Sequence, residues 1–375
     1  MAEVPNLFYE EPDVIYNRMI SRYGTLVNRP ILAQQAEALI FRTITFELVL
    51  VKAQGDGAVR QSLAATAEAP MLDYLAGNTG LKRLAATPAV TTLVFQLLAG
   101  HGSVILPAGT KVRSQDGLVV FATDEEKSAA PGTDTITVTA TALLDGPQGN
   151  LYAPSLISDL IDPQAFVTSV ANIDVTAGGA DIEVSDGLRR RILISQNQYS
   201  TAGSNDSYKF WALTANPSII DVAVVSPKDE EGNSIGGQVL LYPLVSGGID
   251  TPQAILDAVK EAVSGELRRP LTDKVDAFSP TKVNYAIPLE LVLKHGAVQS
   301  TTEAAVIAAI TIYALNQAKK LGADVTESQI IAAGMNGSVH SIRLTGFTDV
   351  IVNPTEFAVC TEINKISTTY EDINA

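Results

Sequence analysis

Near residue 90 the apolar residues change their spacing, and that change restricts the folds open to this chain. Before it the spacing is helical. Pro12 suits a first helical turn, Tyr16, Met19, Ile20 and Tyr23 then share one face, and Gly24 is the expected stop. Between residues 31 and 52, apolar side chains recur at Ala36, Ile40, Ile44, Leu48 and Val51. Ile44, Phe46, Leu48 and Leu50 also alternate, which would suit a strand in the final third. One long helix with a broad apolar surface is expected, and it needs other elements to cover it. From Thr91 to about Val175 the period shortens to two, as in Thr135-Ile-Thr-Val-Thr-Ala-Thr-Ala. Further strands are expected at Leu93 to Leu98, Ser103 to Leu106 and Leu118 to Ala122. Gly100-His101-Gly102, Pro107-Ala-Gly109 and Asp116-Gly117 separate them, the punctuation of a small β-sandwich or barrel-like sheet. Gly146-Pro-Gln-Gly149-Asn150 closes it on one side.

The remainder mixes both periods. Ser185 is placed to cap a helix through Ile194, and Ser204 another that ends before Pro217. Strands are expected at Asp221 to Val225 and Gln238 to Tyr242, around the turn Asp229-Glu-Glu-Gly232-Asn233. A helix opened by Thr251-Pro252 presents Ile255, Leu256, Val259 and Val263 on one face. Beyond it, Tyr285 to Leu293 reads as a strand. Ser300-Thr-Thr-Glu303 has the form of a capping box for a helix reaching Lys319-Lys320, and Thr326-Glu-Ser-Gln329 repeats that form. Val339 to Leu344 and Asp349 to Val352 are the last expected strands. The reading is multi-domain α+β: an N-terminal helical segment over 1–90, a β-rich domain over 91–175, and two mixed α+β units over 176–270 and 271–375. The last boundary rests on Arg269-Pro270, since a proline restricts the residue before it.

Composition narrows the function. With 26 Lys and Arg against 41 Asp and Glu, the net charge of −15 disfavours phosphate backbones and anionic lipid surfaces. Neither nucleic acid nor membrane is expected as a partner. Cys360 is the single cysteine, so no intrachain disulfide and no thiolate metal cluster can form. The start lacks a signal-peptide pattern and no apolar run is long enough for a membrane span, so a soluble product is expected.

Chemistry finds little foothold. His101, His295 and His340 are the only histidines, none in a metal-ligand spacing, and the first two sit beside glycines in expected solvent-exposed turns. No nucleophile elbow or phosphate-binding loop occurs. Asp181, Glu183 and Asp186 would suit a cation, but carboxylates at a helix start, followed a turn later by Arg189-Arg-Arg191, also complement its dipole and pair with those cations. That second account is preferred. Tyr208, Phe210 and Trp211 read as core, and Gly178, Gly179 and Gly203 as turns. No catalytic residue, metal or cofactor is expected.

Three runs of the sequence carry a resemblance. They are Tyr74-Leu-Ala-Gly77-Asn78-Thr-Gly80-Leu-Lys82-Arg83-Leu-Ala-Ala-Thr-Pro88-Ala89, Gly178-Gly179-Ala-Asp181-Ile-Glu183-Val-Ser-Asp186-Gly-Leu-Arg189-Arg-Arg191-Ile192, and Tyr199-Ser-Thr-Ala-Gly203-Ser204-Asn-Asp-Ser-Tyr208-Lys-Phe-Trp211. With Pro107-Ala-Gly109-Thr110, Gly149-Asn150 and Arg269-Pro270-Leu-Thr-Asp273, they resemble the baseplate J-like family of contractile phage tails, P2 or Mu type. The resemblance implies a structural wedge subunit that surrounds the tail hub and couples host contact to sheath contraction. It implies two copies per wedge, joined by a helical bundle to a second wedge protein, and a sixfold ring meeting hub and sheath-proximal baseplate proteins. It also implies a virion location after assembly in the host bacterial cytoplasm. Ile40, Ile44 and Leu48 are the candidate partner-binding residues. A glycan hydrolase and a receptor-binding tail module are the alternatives.

Overall fold

The computed structural model describes residues 6–200, 203–229, 231–265, 268, 270 and 272–371. They fall into two compact units, the described residues up to 83 with Leu188–Leu193, and those of 84–187 with those from Ile194 onward.

The first unit is helical. Helix α1 (Pro12–Leu26) begins on its proline and continues two residues beyond the expected stop at Gly24. Reversal comes instead at Asn28, whose φ of 51° is left-handed. Helix α2 is continuous from Ala36 to Ser62, so the alternation over 44–50 is helical after all and the helix runs ten residues past Lys52. The pair is lightly packed: Ile15 is the buried side chain of α1, and Ala38, Thr45 and Asp56 are those of α2. Tyr23 packs on Phe41 with ring centroids 5.2 Å apart, and the Arg42 guanidinium lies 5.4 Å from the centre of the Tyr16 ring.

A strap of chain before α1 is tied to α2 by one carboxylate. Asp56 accepts the N–H groups of Leu7 at 2.7 Å, Phe8 at 2.9 Å and Tyr9 at 2.9 Å, while Lys52 donates to the Phe8 carbonyl at 2.9 Å. Burial opposes ionisation of Asp56, but these three donors and nearby Arg60 outweigh it and hold its carboxyl below the ordinary 3.8. A lowered folded pKa stabilises above the unfolded value and is lost as pH falls through the folded one. Protection of the Leu7, Phe8 and Tyr9 amides from hydrogen exchange is therefore expected to persist at pH 4 and vanish at lower pH. In Asp56→Asn it is expected to be weak at every pH.

The second unit begins with the barrel. Its strands are β1 (Pro88–Leu97), β2 (Val104–Leu106), β3 (Lys111–Ser114), β4 (Val120–Thr123), β5 (Lys127–Ala129), β6 (Thr135–Asp145), β7 (Ile157–Leu160) and β8 (Val167–Asn172). Six of them make one antiparallel sheet in the order β7-β3-β4-β6-β1-β8, and β2 pairs with β5. Threonines of β6 face out while Ile136, Val138 and Ala140 join Leu93, Phe95, Val112 and Phe121 inside. Asn172 draws the two edge strands together. Its Oδ1 accepts the Ile157 N–H at 2.9 Å, its carbonyl accepts the Ser155 N–H at 2.9 Å, and its Nδ2 donates to Ala153 at 3.0 Å. Fully buried and fully engaged, this side chain does the work a missing ladder would do.

Helix α3 (Met71–Asn78), which belongs to the first unit, and α4 (Ser185–Ile194) flank the barrel in sequence. Next come α5 (Asn205–Ala215), β9 (Ile219–Val225), β10 (Gln238–Val245), α6 (Gln253–Val263) and β11 (Lys274–Ala277). The Ser204 side chain accepts from the Ser207 N–H, as the cap reading expected. Ile255, Leu256, Val259 and Val263 are all buried, with Tyr208, Leu213 and Leu241, in the core of this region. Its sheet is β11-β10-β9, with β10 antiparallel to β9 and parallel to β11. Because β11 lies beyond residue 270, a cut there would remove one of the three strands of this sheet.

The last region has its own core. Strand β12 (Thr281–Leu293) is central between β13 (Val339–Arg343), antiparallel to it, and the parallel β14 (Glu356–Tyr370); α7 (Gln299–Gln317) and α8 (Glu327–Gly334) complete it. Both expected capping boxes fail here. Helix α7 starts at Gln299 with Val298 as its cap, and Glu303 bonds Lys365 at 2.8 Å and Gln299 at 2.9 Å. The Lys365 ammonium holds the Glu303 carboxyl down to about 2. The helix ends at Gln317, short of Lys319. Thr326 does cap α8 by position, but the free Glu327 N–H goes to Asp349 at 2.8 Å, not to the threonine. Residues 349–352 form no strand; Val350 makes a single bridge to Val325.

Candidate assembly surface

Helix α2 covers one line of its surface and leaves the rest bare. Ala38, Thr45 and Asp56 mark the covered line. Ile40, Ile44 and Leu48 stand on another stripe at intervals of four, 57%, 39% and 39% exposed. Leu39, Phe46 and Leu50 make a further exposed row, so large apolar side chains occupy much of the helix circumference. Seven such residues on a single helix, with Val51, exceed the scattered exposure that needs no explanation. No charge interrupts the span from Thr43 to Phe46, and Glu47 is the sole acid between Ala38 and Val51.

The residues of the three signature runs hold backbone in place. In the first unit, Gly80 takes φ of 72° to end α3, letting the Leu81 N–H reach back to the Ala76 carbonyl at 2.9 Å. Arg83 grips Asp73 with two bonds of 3.0 Å, and that guanidinium holds the Asp73 carboxyl below its ordinary value. Arg189 donates to the carbonyls of Ala64 at 3.2 Å and Ala67 at 2.8 Å and pairs with Glu68 at 2.9 Å. Arg191, 2% exposed, donates to the Lys82 carbonyl at 2.7 Å. These arginines are thus buried clamps on backbone oxygens as well as ion-pair partners. Nothing in the composition of Arg189-Arg-Arg191 signalled this: Arg190 is exposed, and burial of the two arginines on either side of it is unusual.

In the second unit, Glu183 is buried and exchanges bonds with Leu84, accepting its N–H and donating to its carbonyl, both at 3.0 Å. The Asn150 side chain makes a reciprocal pair with the backbone of Gly179, 2.7 and 2.9 Å. Gly179 is required by space rather than by φ: a Cβ there would run into the Gly146 carbonyl and lie 2.9 Å from Asn150 Oδ1. Gly203, at φ 72°, packs against Pro270 and Asp273, and Asp273 accepts a bond from the Tyr208 hydroxyl. Thr201, Ala202, Arg269 and Leu271 of these runs lie outside the described residues. Phe210 and Tyr208 are core, and the Arg268 guanidinium stacks 4.0 Å from the Trp211 ring.

Titratable groups are dispersed. Among the described residues no three His, Cys, Asp or Glu side chains are grouped to hold a metal ion. His295 and His340 share Glu371, the first through its backbone N–H at 2.9 Å and the second through Nδ1 at 2.9 Å. His101 is the exception to its expectation: it is buried, not a solvent-exposed turn residue. No helix is long and apolar enough to cross a membrane among the described residues.

A nearly closed antiparallel barrel followed by two regions of mixed helix and sheet defines a multi-domain protein of the α+β class. Residues 92–179 match the Baseplate J-like protein barrel domain and residues 200–279 the Baseplate J-like central domain. These two segments are thus similar to the barrel and central domains of the baseplate J-like family. It is 27% identical over 198 residues to baseplate protein J of Escherichia phage P2, spanning 50% of this chain and 60% of that protein. It is 36% identical over 155 residues to baseplate protein gp47 of Escherichia phage Mu, 41% of each chain. The Mu-like prophage FluMu protein gp47 of Haemophilus influenzae matches at 28% over 157 residues, 42% of each. The chain therefore aligns with less than two thirds of each of these relatives. A solved baseplate of the anti-feeding prophage, 6-fold symmetrised, aligns over 93% of this chain and 89% of that one, with a TM-score of 0.35 and 12% identity.

Proposed function

We propose that this chain is a structural subunit of the baseplate wedge in a contractile phage tail or a phage-derived injection machine. The observation that carries the proposal is the bare apolar surface of α2 on a chain whose barrel and central domains match the family. An isolated helix with that surface would associate with whatever covers it, and a wedge bundle of two copies and a second wedge protein supplies such a cover. In this reading the segment up to residue 90, through Ile40, Ile44 and Leu48, joins the bundle. The region after the central domain makes contacts that close six wedges into a ring around the tail hub. Rearrangement of those contacts on host binding releases the sheath. No residue is assigned a catalytic role: Glu183, Arg189 and Arg191 serve as backbone clamps and an ion pair, and the named relatives are baseplate proteins. The proposal is tested by locating and counting the chain in purified tails, as set out at the end of the Discussion.

A further inference from the structure

His101 has both ring nitrogens against backbone carbonyl oxygens. Nδ1 lies 2.5 Å from the Gly102 oxygen and Nε2 lies 2.6 Å from the Thr133 oxygen, in a residue only 6% exposed. Carbonyl oxygens only accept, so both nitrogens must donate, and an imidazole with two N–H groups is the cation. A neutral ring would leave one nitrogen lone pair facing an oxygen lone pair at contact distance.

We infer that His101 is a proton-dependent latch that fastens the β1–β2 loop to the β5–β6 loop at one end of the barrel. The two loops emerge from the same short ribbon, where Val104 pairs with Ala129 and the Ser103 hydroxyl reaches the Ala129 carbonyl at 3.5 Å. On the other side, the Leu97 N–H donates to the Asp134 carbonyl at 2.8 Å and the Leu98 N–H to that of Phe166 at 2.8 Å. The charged surroundings are sparse. Residues 96–104 contain no ionisable side chain besides His101, residues 128–135 contain only Asp134, and residues 164–168 contain none. Lys127, at the far end of β5, is paired with Glu125 at 2.8 Å. The Thr133 and Gly102 carbonyls favour the protonated ring, burial opposes it, and the field of Asp134 adds to the carbonyls; the balance lies above the ordinary 6.5.

A raised folded pKa gives stability that is fully present below about 6.5 and is lost as pH rises through the folded value. Loss of the proton should free the β1–β2 and β5–β6 loops while the long ladder of β1 with β6 stays intact. Ring nitrogen NMR of the full chain tests this, with the three histidines assigned from His101→Asn, His295→Asn and His340→Asn. At pH 6 His101 is expected to carry two protonated nitrogens and to titrate above the ordinary 6.5. Amide exchange at 98–104 and 130–135, referenced to β1 residues 92–95, is expected to step up across that titration in the native chain and not in His101→Asn. A single-protonated His101 ring at pH 6, a midpoint at or below 6.5, or a step that survives in His101→Asn would overturn the inference. Should His101→Asn fail to fold, the native titration decides, with the other two variants assigning the third signal by difference.

Discussion

Replacing Ile40, Ile44 and Leu48 together by aspartate is expected to abolish wedge assembly while leaving the chain folded. All three side chains are more than a third exposed, so the free chain loses little burial, within about 0.5 kcal/mol for each surface substitution. In an interface the account is reversed. Each carboxylate would be taken from water into an apolar seam without a partner, at a cost of roughly 3 kcal/mol or more. Even one such penalty weakens association by about a hundredfold. Co-purification with the other wedge components, alongside circular dichroism of the triple variant, reads both halves. The variant is preferable to deleting residues 1–83, because deletion would also remove the carbonyls of Ala64, Ala67 and Lys82 that hold Arg189 and Arg191. Normal wedge assembly by a folded triple variant would remove α2 from the interface.

Truncation after Ser279 is expected to leave wedges that form but do not close into rings. The cut is placed there because β11 belongs to the central sheet and the match to the central domain ends at residue 279. What is removed, β12 to β14 with α7 and α8, has its own core of Ile287, Leu289, Leu291, Val306, Ile310, Ile330 and Val339. Across the cut, the Leu321 N–H bond to Asp221 at 3.2 Å is lost, while the Thr251 N–H bond to the Ser279 hydroxyl at 2.9 Å lies within the retained part. Asp221 keeps its ion pair with Lys209 at 2.7 Å. Folding of the remainder should therefore survive. Electron microscopy of assemblies built with the shortened chain decides the matter, and intact rings would refute a ring-closing role for this region.

Elements whose burial is one-sided were legible in the sequence. Strand β6 shows a clean alternation and α6 a clean four-residue stripe because each faces one core and one solvent layer. Strand β14, the longest at 15 residues, gave no such signal. Two bulges explain it: the register with β12 skips Thr361 between Cys360 and Glu362, and skips Ile366 between Lys365 and Ser367. Each skip inverts the in–out phase, so no single period runs the length of the strand. The capping boxes misled for a different reason. Lys365, distant in sequence, engages the Glu303 carboxylate, and the Thr326 hydroxyl meets Ser328 instead of a backbone N–H. His101 between two glycines looked like an exposed turn, yet its partner carbonyl at Thr133 lies 32 residues away. The apolar excess of α2 was visible from composition and spacing, since helical periodicity does not require knowledge of a partner. Arg83 with Asp73, and Asn172 closing the barrel edge, left no trace in any local pattern.

The central claim, a wedge subunit of a contractile tail, is tested most directly by electron cryo-microscopy of purified tails carrying a small tag on this chain. The account predicts tagged density in a sixfold ring at the baseplate, two copies in each of six wedges, with α2 of each copy inside a helical bundle. Tagged density at the fibre tips, copies in multiples of three per fibre, or a chain absent from the finished particle would contradict it.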